Sequence, residues 1–393
     1  MRFLRNYLNN IKPNFEKGGR FSALRSVFDG FETFLFVPNT TSKCGVSIHD
    51  AIDSKRIMTM VVIALMPAML FGMYNVGYQN YLAAGTLATA SFLEVFAYGF
   101  LAVLPKILVS YIVGLSIEFA WAQWKGEEIQ EGFLVSGILI PLIIPVGCPL
   151  WMLAIAIAFA VSAAAARASG ATVASSPSPF VSKPALIARA FLFFAYPTKM
   201  SGDTTWVANE TIFGLGNNLP DAFTCATPLA LTTQTGAPGY SMCDIITGFI
   251  PGSIGETSVI AIAIGAAILL WTGIASWKIM LSVFVGGALT ASLFSSLDMT
   301  PIQWYDHLLL GGFAFGAVFM ATDPVTSART EKGKYIYGML IGIVAVVVRV
   351  MNPGYPEGMM LAILLMNMFA PLIDHCFVQA NISRRMKRLN KKG

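Results

Sequence analysis

Charge is what this chain has least of. Of its 393 residues only 12% are Asp, Glu, Lys or Arg, whereas 55% are hydrophobic. A soluble globular domain carries about 25% charged residues, so a water-soluble enzyme is excluded. Histidine is scarce, at three residues. The five cysteines (Cys44, Cys148, Cys225, Cys243 and Cys376) show no Cys-x-x-Cys pair and no His-linked spacing. An iron–sulfur or zinc site carried by this chain alone is therefore not expected. No Gly-x-Gly-x-x-Gly follows a strand pattern, which leaves no visible dinucleotide site.

What the chain has in place of charge is long apolar runs. Several are long enough to cross ~30 Å of hydrocarbon, and they predict an all-α integral membrane protein with about ten transmembrane helices. The crossings are expected near 57–76, 98–122, 132–145, 151–167, 184–197, 258–276, 279–296, 307–322, 335–350 and 359–378. Several are short or carry Pro and Gly. Glu131-Gly132 opens one ending at Pro145, and Glu357-Gly358 opens one ending at Pro371. Such segments point to two inverted-repeat halves with short or broken helices. The expected organisation is a tail at 1–54, a membrane half at 55–197, a polar loop at 198–256, a second half at 257–380 and a basic tail at 381–393. The first apolar run starts too late for a cleaved signal peptide.

The sparse charges are unevenly placed. Nine Lys/Arg lie in residues 1–56 and six lie between Arg384 and Lys392. The loop 198–256 holds only Lys199. This asymmetry predicts both termini in the cytoplasm and the long loop outside, and it is read as topology rather than nucleic-acid binding. Within the tail, the stretch 3–11 is amphipathic and suits a membrane surface or a partner subunit.

The long polar loop contains Asp221-Ala222-Phe223-Thr224-Cys225-Ala226-Thr227, followed by Pro228-Leu229. An acid stands six residues before a hydroxyl, with small residues ahead of that hydroxyl. Locally this reads either as a site where a bulky group reaches Thr227 or as an Asx turn with ordinary loop threonines. Further along, Ser253-Ile254-Gly255-Glu256 reads as a capping box opening the next helix.

The pattern Asp-x-x-Thr-x-Ala-Thr resembles the flavin-attachment motif of the B-type subunits of sodium-translocating NADH:quinone reductases. Other stretches resemble that family in the same order: 55–58, 188–197, 250–256, 310–316, 320–324 and 352–358. The resemblance implies FMN joined through its phosphate to Thr227, with Asp221 and Thr224 completing the motif. Ser169-Gly170-Ala171-Thr172 is similar in text, but Ala166 stands where the acid belongs. The resemblance further implies a non-covalent riboflavin near 174–183, ending at Lys183, where the family has an asparagine. It implies a quinone region (ubiquinone or menaquinone) at Gly114 and Leu115, and a sodium path involving Glu118 and Asp374. Asp323 joins these two as an acid near the inner membrane face, where the alternative is headgroup water or pairing with Arg384 or Arg385.

The implied protein is a multi-pass subunit of the bacterial cytoplasmic (inner) membrane. Its partners would be an extracytoplasmic flavin subunit, an NADH-oxidising subunit and, for maturation, a flavin transferase. Two alternatives stay open: the D-type subunit of an Rnf ferredoxin:NAD oxidoreductase, and a flavin-free channel or transporter.

Overall fold

The computed structural model describes residues 2–15, 28, 45, 54–125, 133–168, 183–202, 206–219, 225–352, 354 and 356–390. Among these every regular element is a helix. After α1 (Arg2–Ile11) come α2 (Ser54–Ala83), α3 (Phe92–Lys125), α4 (Phe133–Leu142), α5 (Leu150–Ala168), α6 (Pro184–Ala195) and the single turn α7 (Pro197–Met200). The loop region holds α8 (Pro228–Thr235) and α9 (Met242–Thr247). The second half contains α10 (Val259–Trp271), α11 (Trp277–Ser296), α12 (Asp306–Leu309), α13 (Phe313–Phe315), α14 (Glu331–Met351) and α15 (Met359–Leu389). Among the described residues five helices are long and apolar enough to span a membrane: α2, α3, α11, α14 and α15. Four shorter apolar helices fall within α4, α5, α6 and α10.

Much of the packing is between helices close together in sequence. α3 packs on α5 and α5 on α6; likewise α11 packs on α14 and α14 on α15. Close approach is allowed by glycine. On α2 and α3, Gly77 lies against the Val95 carbonyl and Gly99 against the Met73 carbonyl. On α11 and α14, Gly286 faces Met339 and Gly342 faces Val283. Without a hydrophobic drive between helices in lipid, such small-residue contacts carry the packing. α10 rests on α2 and α6 meets α15, and one buried apolar cluster runs from α2 to α15.

The crossing expected at 307–322 is not one helix. It breaks after α12 at extended Leu310 and at Gly311, whose φ of +64° no ordinary side chain tolerates well. It then resumes as α13 and a π-helical turn, Gly316–Met320. Broken backbone away from water must have its carbonyls satisfied by protein. Arg349 of α14 does this: Nη1 donates to the His307 carbonyl (2.5 Å), Nη2 to that of Leu310 (3.2 Å) and Nε to that of Pro356 (2.9 Å). At the end of α4 a loop from elsewhere in the chain solves the same problem. The Gly255 amide donates to the Leu142 carbonyl (2.7 Å) at the end of α4.

The far end of the polar loop is thus not solvent-facing. Residues 250–258 are all buried apart from half-buried Gly252. The capping-box reading of Ser253–Glu256 is overturned. The helix opens later, at Val259, and Ser258 caps it by accepting from the Ala261 amide (3.3 Å). Glu256 turns away from the helix terminus toward an arginine.

Candidate functional site

Thr227 is the N-cap of α8. Its Oγ1 accepts from the Ala230 amide at 3.3 Å, and Pro228 at the first helical position removes a competing donor. The Thr227 amide donates to the Gly202 carbonyl (3.0 Å), and the Trp206 amide to that of Cys225 (3.4 Å), so two chain segments brace the turn. Gly202 matters by what it lacks. A Cβ there would stand 2.9 Å from Thr227 Oγ1 and 3.0 Å from the Ala230 Cβ. The hydroxyl is half-buried and approachable at a helix amino terminus, where amide donors favour an anion. These residues fit a phosphoester-linked group. Asp221 and Thr224 lie outside the described residues.

Cys225 neighbours this turn. Burial pushes its thiol pKa up, and a hydrogen bond with the Tyr240 side chain partly opposes that. Below Thr227, Leu229 packs with Ile245 and Leu310 in a small buried cluster. The Thr227 helix therefore sits directly on the broken segment of the second half.

Close to that segment the structure gathers a charge cluster that sequence reasoning missed. Arg189 of α6 is 4% exposed. Its Nη1 contacts Glu256 Oε1 at 2.6 Å, and its Nη2 pairs with Glu357 Oε2. A Cβ on Gly312 would come within 2.7 Å of Glu256 Oε1, so the glycine makes room for the carboxylate. The three charges border a small cavity closed by Gly316, Met320 and Met359. Arg189, Glu256 and Glu357 each sit in one of the motif stretches above (188–197, 250–256 and 352–358). The available signal was a charge placed inside an otherwise apolar motif.

The other expected residues scatter. Lys183 is buried just before α6; its Nζ donates to the Met320 carbonyl and lies 3.9 Å from Asp323 Oδ2. Asp323 also accepts from the Val325 amide (3.3 Å) and Thr326 Oγ1 (3.0 Å). Asp374 pairs with neither Arg384 nor Arg385. It accepts from the amides of Arg329 (2.8 Å) and Thr330 (2.9 Å) and from Thr330 Oγ1 (2.6 Å), holding the start of α14. Glu118 lies on α3 with Oε2 buried and without a hydrogen-bond partner among the described residues. Gly114, one turn earlier, is pressed against the ring of Phe133 on α4, and Leu115 packs at the core edge. The structure thus joins Lys183 to Asp323 and leaves Glu118 and Asp374 apart from them.

Long apolar helices, a broken segment with internally satisfied carbonyls and a buried charge cluster of Arg189, Glu256 and Glu357 define a polytopic helical membrane protein. Residues 41–383 match the family described as NQR2, RnfD, RnfE, and the chain belongs to that family. It is 44% identical to the B subunit of the Na(+)-translocating NADH-quinone reductase of Chromohalobacter salexigens, over 98% of this chain and 96% of the relative. The same-named proteins of Azotobacter vinelandii and Pseudomonas aeruginosa are 42% and 40% identical, each over 98% of this chain and 99% of the relative.

Proposed function

We propose that the chain is the membrane electron-transfer subunit of a Na+-translocating NADH:quinone oxidoreductase, with FMN ester-linked to Thr227. The observation that carries this reading is the Thr227 hydroxyl, braced at the start of α8 beside a glycine that leaves it room. Near-complete coverage of relatives that bear the quinone-reductase name supports it over the Rnf alternative. The flavin ring supplies the redox chemistry, and the chain supplies position and electrostatics. Thr227 fixes the attachment, the amino terminus of α8 favours the phosphate charge, and Leu229 seats the helix on the broken segment.

The reading includes a second, non-covalent flavin (riboflavin) near 174–183, quinone reduction (ubiquinone or menaquinone) near Gly114, and coupled Na+ export. The 174–182 stretch lies outside the described residues. Lys183 points inward to Met320 and Asp323, so its part is to fix where that stretch enters α6. Of the three carboxylates, Asp323 and Asp374 already serve backbone and hydroxyl donors. Glu118 alone of the three has a buried oxygen without a partner among the described residues, and we assign the first cation contact to it. NADH oxidation falls to a partner, and attachment needs a flavin transferase. The membrane is the bacterial inner membrane, with both termini inside and Thr227 outside.

The test is covalent flavin fluorescence on a denaturing gel after co-expression with the transferase. Wild-type chain should fluoresce and Thr227→Val should not. A fluorescent Thr227→Val band overturns the attachment, and a dark wild-type band favours the flavin-free transporter.

A further inference from the structure

A lysine ammonium is held where the chemistry of its partners suits a metal cation. Lys183 stands just before α6 and is 8% exposed, and its side chain reaches the end of the π-helical turn Gly316–Met320. There Nζ donates to the Met320 carbonyl and lies 3.9 Å from Asp323 Oδ2. Among the described residues Lys183 is the one cation paired with Asp323. Turns of π-helix often mark functional positions.

The Met320 carbonyl is available for a reason written in the sequence. In an α-helix it would accept from the amide four residues on, but that residue is Pro324, which has no amide hydrogen. The next amide, of Val325, donates to Asp323 Oδ1 (3.3 Å) instead. Asp323 Oδ2 takes the Thr326 hydroxyl (3.0 Å) and faces Lys183. Tyr337 of α14 lies close enough to feel the charge of Asp323, but its hydroxyl donates to Asn367 Oδ1 (2.6 Å). A freed carbonyl at the end of a broken helix and a carboxylate beside it are hard oxygen donors. Discontinuous membrane helices present such carbonyls to Na+. An ammonium has the same single charge as Na+, and a tethered one competes at high effective concentration.

We propose that Lys183 is a tethered cation: its ammonium occupies a monovalent-cation position between the Met320 carbonyl and Asp323 and so bars Na+ from Asp323. Beyond fixing the start of α6, Lys183 then determines which carboxylates a passing ion can meet. Removing its charge turns the same oxygens into a Na+ site. The inference rests on the proposed sodium role for the identity of the ion; its geometry does not involve the flavin at Thr227.

The test counts radioactive Na+ bound to the purified full-length chain, with ionic strength held by choline chloride and a cooperative thermal melt as the check on folding. Lys183→Asn shortens the side chain, removes the charge and leaves an oxygen that can face the ion. It should bind one more Na+ per chain than wild type. Lys183→Arg keeps the charge and should gain none, and adding Asp323→Asn to Lys183→Asn should abolish the gain. In the wild-type background Asp323→Asn should leave the count unchanged, an arm that does not depend on how any lysine variant folds. No gain in a folded Lys183→Asn chain overturns the proposal, as does an equal gain in Lys183→Arg. So does a gain that survives Asp323→Asn, or a wild-type chain that loses Na+ on Asp323→Asn. Because the readout is a difference, the wild-type count reports on the sodium role of Glu118 and the difference reports on Lys183.

Discussion

Replacing Arg189 with methionine keeps most of the volume and removes the charge. What remains is Glu256, 7% exposed and 2.6 Å from the lost guanidinium, with Glu357 aimed at the same gap. Breaking a buried pair from one side costs roughly 3–5 kcal/mol, because the orphaned ion stays desolvated. The Glu357 carboxylate is 22% exposed and can recruit water, so the penalty falls mainly on Glu256. In thermal denaturation of the detergent-solubilised protein, a loss of that size lowers the midpoint by roughly 4–6 °C. Adding Glu256→Gln to Arg189→Met should restore at least half of it, with a coupling of roughly 1–3 kcal/mol between the two positions. Glu256→Gln alone should cost less than Arg189→Met, since Glu357 still pairs with the arginine. Equal midpoints for wild type and Arg189→Met would refute the argument, as would additive losses in the double variant.

Three further outcomes follow from the same geometry. Asp374→Ala removes the acceptor for two amides and a hydroxyl at the start of α14; it should destabilise by roughly 1–3 kcal/mol and speed amide exchange at Arg329 and Thr330, whereas Arg384→Ala should leave both unchanged. Gly114→Val drives a side chain into the Phe133 ring and should cost roughly 1–3 kcal/mol of thermal stability, and Phe133→Ala in the same chain should recover part of it. Cys243 is exposed, whereas the Cys225 thiol is half-buried with its pKa pushed up. At pH 7 maleimide should therefore label Cys243 first, and Cys225 labelling should climb as pH rises above the ordinary thiol range, because only the thiolate reacts. Equal rates at both cysteines would contradict that placement.

The spans were legible because hydrocarbon demands continuous apolar runs, and α2, α3, α11, α14 and α15 each announce themselves by length and hydropathy alone. Thr227, the threonine proposed for attachment, stands in a motif local in sequence, and the α8 cap it makes forms within four residues. Three things were not legible. The break at Leu310–Gly311 lies inside a run apolar enough to read as one helix; whether its freed carbonyls find Arg349, 39 to 42 residues away, is decided only by packing. The Ser253–Glu256 stretch carries a valid capping pattern, but the pull of Arg189 on Glu256, from 67 residues away, outweighs a local cap. Asp374 lies well short of the first arginine in its own helix, Arg384, yet it finds its donors 44 and 45 residues back along the chain. Composition and periodicity thus determined that this chain lives in a membrane and where its five long apolar helices run. Which buried charges meet was decided by the tertiary structure, because in a low-dielectric interior each ion must find a partner in space, however far off it lies in sequence.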